Sequence, residues 1–69
     1  MSKAFSIQVG GNHYKEFAIQ PSQYINKNRL EFAEGNVVKY VSRHKHKGGK
    51  QDILKAIHYL KMIIERDYD

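Results

Sequence analysis

The run Gly35-Asn36-Val37-Val38-Lys39-Tyr40-Val41-Ser42-Arg43 gathers side chains that could do chemistry. At helical spacing Val37 and Val41 lie one turn apart, with Val38 beside them. Asn36, Tyr40, Arg43 and Lys47 fall on the other side, and Lys39 flanks them. One face can therefore enter a core. The other offers an amide, a phenol, an ammonium and a guanidinium, a set suited to a phosphate-bearing ligand. Lys39 and Arg43, with Asn36, can hold a phosphate from two sides, arginine by its planar fork and lysine as a point charge. Tyr40, or Tyr14 from an N-terminal loop, could stack on a base, and His13 could donate to a phosphate or move a proton. Against this, a tyrosine at such a position is more commonly a half-buried core aromatic.

The charge pattern points the same way. The net charge is +5. No Asp or Glu occurs between Gly35 and Gln51, whereas Lys39, Arg43, Lys45, Lys47 and Lys50 do. His44 and His46 add to this zone at lower pH. Glu65, Asp67 and Asp69 lie outside it, at the C-terminal end. A focused positive zone implies an anionic partner, with a solvated lysine surface as the plain alternative. Composition alone does not separate nucleotide, nucleic acid and membrane headgroup. Lysines, arginines and five tyrosines could neutralise phosphates and stack on bases, which makes nucleic acid a candidate partner. The recognised nucleic-acid motifs are missing.

Several chemistries find no support. Gly48-Gly49-Lys50 only echoes a phosphate loop, because the leading glycine, the spacing and the hydroxyl are absent. It precedes a helix whose free N–H groups could hold an anion, but a plain helix-helix turn is the commoner reading. His44 and His46 are two residues apart and point about 200° away from each other on a helix. The centre has no paired carboxylates for Mg²⁺. The expectation is no metal and no cofactor. Ser42 and His44 face different ways, so a triad is not expected. There is no cysteine, hence no disulfide or thiolate site. No stretch approaches the roughly 20 apolar residues of a membrane span. The start, Met-Ser-Lys-Ala-Phe-Ser, lacks a signal peptide's apolar run. A soluble cytoplasmic protein with no membrane partner is expected.

The elements that must position these groups follow from pattern. Sixty-nine residues make one domain, with 1–20 an extended arm and loop and 21–69 a helical body. Phe5, Ile7 and Val9 alternate with polar residues as in a short strand or extended arm. Gly10-Gly11-Asn12 reads as a turn, and Phe17 and Ile19 as anchors for the arm. Pro21 opens a short helix to about Asn28. A second helix runs from about Glu31 to about His46. Gly35 inside it costs about 1 kcal/mol relative to Ala, which implies close approach of a backbone or ligand, or else a kink or a late helix start. Gly48-Gly49 permits a left-handed cap.

A third helix runs from about Lys50 to about Arg66. Ile53, Ile57, Leu60 and Ile64 form its main stripe, and Leu54, Ala56 and Ile63 widen it. Lys55, His58, Met62 and Glu65 mark the opposite side, with His58 read as a surface or interface histidine. Asp52 suits the first turn's dipole and could orient Arg43 or Lys39 across the hairpin. The wide stripe predicts a second contact, most simply with another copy of the chain. The fold class is therefore mainly α: an extended N-terminal arm, a short helix, then an antiparallel two-helix hairpin packed as a homo-oligomer.

Taken together, His13-Tyr14, the Gly35–Arg43 run, Lys47-Gly48-Gly49 and Asp52-Ile53-Leu54-Lys55-Ala56-Ile57-His58-Tyr59-Leu60 resemble a small bacteriophage family. It is catalogued as a domain of unknown function and often labelled phage nucleotide-kinase-like. Its pattern is HY, GNxxKYxxR, a short basic glycine-containing turn, and (E)DLxKAxxYL. The resemblance spans about residues 12–65. Gln51 stands where Glu is frequent, and Leu54 where a basic residue is common.

The resemblance implies a phage-encoded protein that handles nucleotides in an infected bacterial host cell. A larger member is described as a nucleoside-monophosphate kinase that works as an oligomer without the usual phosphate loop. Phages also use small helical oligomers as sponges for immune signals such as cyclic dinucleotides, a role suited to a compact basic chain without evident catalytic acids. The expectation is a nucleotide-binding protein, with Asn36, Lys39, Arg43 and Lys47 on phosphates and His13, Tyr14 and Tyr40 near base or sugar. The enzyme alternative is a metal-independent kinase in which Lys39 and Arg43 neutralise the transferring phosphate. A nucleic-acid or host-protein binding adaptor is the third reading.

Overall fold

Helical periodicity over residues 21–67 resolves into three helices in the computed structural model, which describes residues 17–69. They are α1 (Pro21–Lys27), α2 (Phe32–Arg43) and α3 (Lys50–Asp67). The described residues contain no strand. The expected arm, with Phe5, Ile7, Val9 and the Gly10-Gly11-Asn12 turn, lies outside them. The helices α2 and α3 form the antiparallel hairpin that the sequence predicts, and α1 packs on α2.

Proline at the first position of α1 suits a helix start. The helix ends through Arg29, whose φ of 54° lies in the left-handed region. The Arg29 N–H donates to the Asn26 carbonyl and the Leu30 N–H to the Ile25 carbonyl. Glycine usually occupies such a position. Gly35 is buried within α2. A Cβ there would sit 3.0 Å from Ile25 Cγ2. Close approach therefore explains this glycine, and the neighbour is a side chain of α1.

α2 stops at Arg43, three residues short of the expected end. The N–H groups of His46 and Lys47 both donate to the Arg43 carbonyl, which folds 44–49 into successive turns. Gly49, with φ 55°, supplies the left-handed residue before α3. At the far end of the hairpin Arg66 pairs with Glu34 of α2 and with Asp67, and lies 3.4 Å from Glu31. Hydrogen bonds to Asp67 and then Glu34 push the Arg66 guanidinium further up, while Arg66 holds both carboxyls below their ordinary values. These groups meet solvent, so the clasp sets alignment more than stability.

The face by which α3 meets α2 differs from expectation. Asp52 and Ala56 are buried, and Tyr59 and Ile63 half-buried. Ile57, Leu60 and Ile64 are 43%, 46% and 54% exposed. The packing set is the expected stripe moved back by one residue, a rotation of about 100°. On α2, likewise, Tyr40 and Arg43 turn toward α3, whereas Val41 is 48% exposed. The cause is local. Asp52 is drawn to Arg43 and Gly48, small Ala56 lets the helices approach, and Tyr59 stacks on Tyr40.

Candidate functional site

The hairpin's turn end is organised by one carboxylate. Asp52 has no exposed surface. Its Oδ2 accepts hydrogen bonds from Arg43 Nε and from the Gly48 N–H, each 2.9 Å long. Burial opposes its ionisation. The hydrogen bonds from Arg43 and Gly48 and the charges of Arg43 and Lys55 outweigh that and hold the carboxyl below its ordinary 3.8. Oδ1 has no hydrogen-bond partner. A Cβ on residue 48 would overlap all three carboxyl atoms, so only glycine leaves room for Asp52.

The ion pair places Arg43 beside Tyr40. The guanidinium carbon lies 5.2 Å from the centroid of the Tyr40 ring. Lys39 Nζ lies 5.2 Å from the same centroid, and Lys55 Nζ, arriving from α3, 5.1 Å. Three cations thus lie within cation–π range of one ring. Tyr59 lies parallel to Tyr40 within 6°, centroids 6.1 Å apart. Phe32 and His58 meet Tyr59 edge-on. The seam is therefore an aromatic row bordered by positive charge.

Lys39 also looks the other way. With Pro21, Ser22 and Ile25 it lines a groove of about 280 Å³ between α1 and α2. An adjoining depression of about 230 Å³ is bordered by Lys39, Asn36, Ile25 and Glu31, among others. Asn36 donates one amide hydrogen to the Phe32 carbonyl at 2.8 Å.

The structure brings together Lys39, Tyr40 and Arg43 of the expected phosphate and base set. Asn36 joins them only through the groove it shares with Lys39. Lys47 is exposed in the turn, and its backbone N–H donates to the Arg43 carbonyl. His13 and Tyr14 lie outside the described residues. The idea of an anion on the N-terminus of α3 gives way here. The Gly48 N–H is taken by Asp52, and the N–H groups of Gln51 and Asp52 donate to the carbonyls of Gly48 and Gly49. Among the described residues no three His, Asp or Glu side chains gather as a metal site. No helix among them is long and apolar enough to cross a membrane.

The model of one protein family, DUF3310, described as a protein of unknown function, matches residues 9–61. The chain belongs to the DUF3310 family. No curated protein and no solved structure matches it. Within this DUF3310 chain the matched span holds Lys39, Tyr40, Arg43, Gly48, Asp52, Lys55 and Tyr59, so the ion pair and aromatic seam fall inside the family region. Of the clasp, Glu31 and Glu34 fall inside it and Arg66 and Asp67 beyond it.

Lys55 and Tyr59 are not among the residues that the sequence singles out for this candidate site, since the pattern sets Lys55 opposite the apolar stripe. The signal was present. Asp52, Lys55, Ala56 and Tyr59 follow one another at helical spacing, so an Asp52 that reaches Arg43 brings Lys55 and Tyr59 to the same seam.

Proposed function

We propose that this DUF3310 protein binds a phosphate-bearing nucleotide at the Lys39–Tyr40–Lys55 seam and holds it unchanged. The observation that carries the reading is the convergence of Lys39, Arg43 and Lys55 on one tyrosine ring. Lys39 and Lys55 are exposed and come from different helices, so their ammonium groups can close on a phosphate from two sides. Arg43, its charge balanced by Asp52, holds the Tyr40 ring in place beside them. The groove beside Lys39 and Asn36 offers an apolar wall to a base or sugar.

Sequestration is favoured over turnover because the carboxylate at this seam, Asp52, is buried and committed to Arg43 and Gly48. It does not offer a general base to a substrate hydroxyl. The bacteriophage resemblance supports a role as a sink for a nucleotide or cyclic-dinucleotide signal in an infected cell.

The test is mass spectrometry of small molecules released on denaturing the purified chain, alongside calorimetric titration with mono-, tri- and cyclic dinucleotides. An unaltered nucleotide, or tight binding of one class, is expected. Lys39→Ala and Lys55→Ala should each weaken it roughly ten-fold or more, the scale of a charge-assisted hydrogen bond, while Lys61→Ala controls for net charge. Phosphoryl transfer from ATP to a nucleoside monophosphate would replace this reading with the kinase. No titration heat, with steeply salt-dependent binding to long polyanions, would replace it with a nucleic-acid adaptor.

A further inference from the structure

The hairpin leaves an apolar line on α3 uncovered. Ile57, Leu60 and Ile64 are 43%, 46% and 54% exposed, Leu54 beside them is 44% exposed, and Ile53 is half-buried. Among the described residues the buried apolar side chains are Pro21, Ala33 and Ala56, all small. A chain this small gains little from so thin a core, and covering the line would add to it.

We infer that the line is a two-fold interface on which α3 of a second copy lies antiparallel. Two features of the helix favour a second copy in that direction. First, Ile53, Ile57, Leu60 and Ile64 are spaced four, three and four residues apart, the seam of a helix pair. The spacing reads the same in both directions, as a self-complementary patch requires. Antiparallel pairing sets Ile53 against Ile64 of the partner subunit, and Ile57 against Leu60 of the partner subunit. Second, the helix is electrically polar along its length. Its N-terminal half exposes Lys50 and Lys55, and Asp52 there is neutralised by Arg43. At its C-terminal end Arg66 pairs with Asp67, and Glu65, with Asp69 just past the helix, offsets Lys61. Antiparallel pairing lays each basic half against the partner's charge-balanced end, whereas parallel pairing sets the two basic halves together.

Sedimentation equilibrium of the full chain should give twice the 8.1 kDa of one chain. Leu60→Glu should raise the dissociation constant roughly ten-fold or more, by burying a charge at the centre of the seam, with helix content unchanged because Leu60 is exposed in the single chain. Direction is read from cysteines, since the chain has none of its own. Ile53→Cys and Ile64→Cys should each stay uncrosslinked alone and form a disulfide-linked dimer when mixed. A wild-type chain that sediments as one 8.1 kDa unit overturns the proposal, whether the line is then free or covered from within the chain. A dimer that survives Leu60→Glu, or single-cysteine variants that crosslink to themselves, overturns it as well.

Discussion

Replacing Gly35 by alanine should destabilise the protein, and the sign of the effect should reverse when Ile25 is altered. In a helix interior, glycine to alanine is worth about 0.8–1.0 kcal/mol in favour of alanine. The new methyl would sit 3.0 Å from Ile25 Cγ2, well inside the roughly 3.5–4.0 Å at which carbon atoms attract. That methyl hangs directly from the Cβ of a β-branched residue, whose χ1 is stiff, so relief requires α1 to move. Overpacking of this kind costs about 1–3 kcal/mol. The balance is a net loss of about 1 kcal/mol, or roughly 4–8 °C in Tm for a domain of this size. Ile25→Leu moves the branch one carbon outward. On that background Gly35→Ala should stabilise, by up to about 1 kcal/mol. Urea unfolding of the four proteins by far-UV circular dichroism gives the coupling. If Gly35→Ala stabilises the wild-type chain as much as it stabilises the Ile25→Leu variant, the contact with α1 is not why position 35 is glycine.

Asp52 makes stability fall in acid. Its folded pKa lies below the ordinary 3.8, so its contribution is fully present above that value and is lost as pH falls through the folded pKa. Asp52→Asn should lower Tm at neutral pH and flatten the part of the Tm–pH curve below about pH 4; an unchanged acid limb would refute the assignment. Gly48→Ala should displace the Asp52 carboxylate and lower Tm sharply, with loss of ligand binding. Gly49→Ala meets open space but holds φ 55°, and should cost only backbone strain of about 1–3 kcal/mol, leaving binding intact. Arg29→Gly relieves a left-handed residue on the surface and should stabilise by about 1 kcal/mol in the same denaturation assay.

Much of the architecture is legible in the sequence. Pro21, the 3.6-residue periodicity and Gly48-Gly49 marked three helices and a tight reversal, because these signals act locally through fixed φ angles and a left-handed turn residue. α2 ends three residues before its sequence pattern does. Residues 44–47 keep helical composition, and only the competing Arg43 and His44 carbonyl bonds in the turn break the ladder there. Within the site, Lys39, Tyr40 and Arg43 could be picked out together because they share one short run. Lys55 and Tyr59 could not, because their membership depends on how a second helix is rotated.

That rotation separates local from tertiary information. Apolar residues cover about half of α3, so periodicity establishes that a helix exists without choosing between the line through Ile53, Ile57, Leu60 and Ile64 and the line through Asp52, Ala56, Tyr59 and Ile63. By hydrophobicity alone the first would be buried. The folded hairpin turns the second inward, because a carboxylate removed from water needs its positive partner and its N–H donor close by, and an unpaired buried charge is far costlier than an exposed isoleucine. The sequence by itself determined the number, order and approximate limits of the helices. Only the tertiary structure decided which faces meet, and with them that Arg43 is fixed by Asp52 while Lys39 and Lys55 converge on Tyr40.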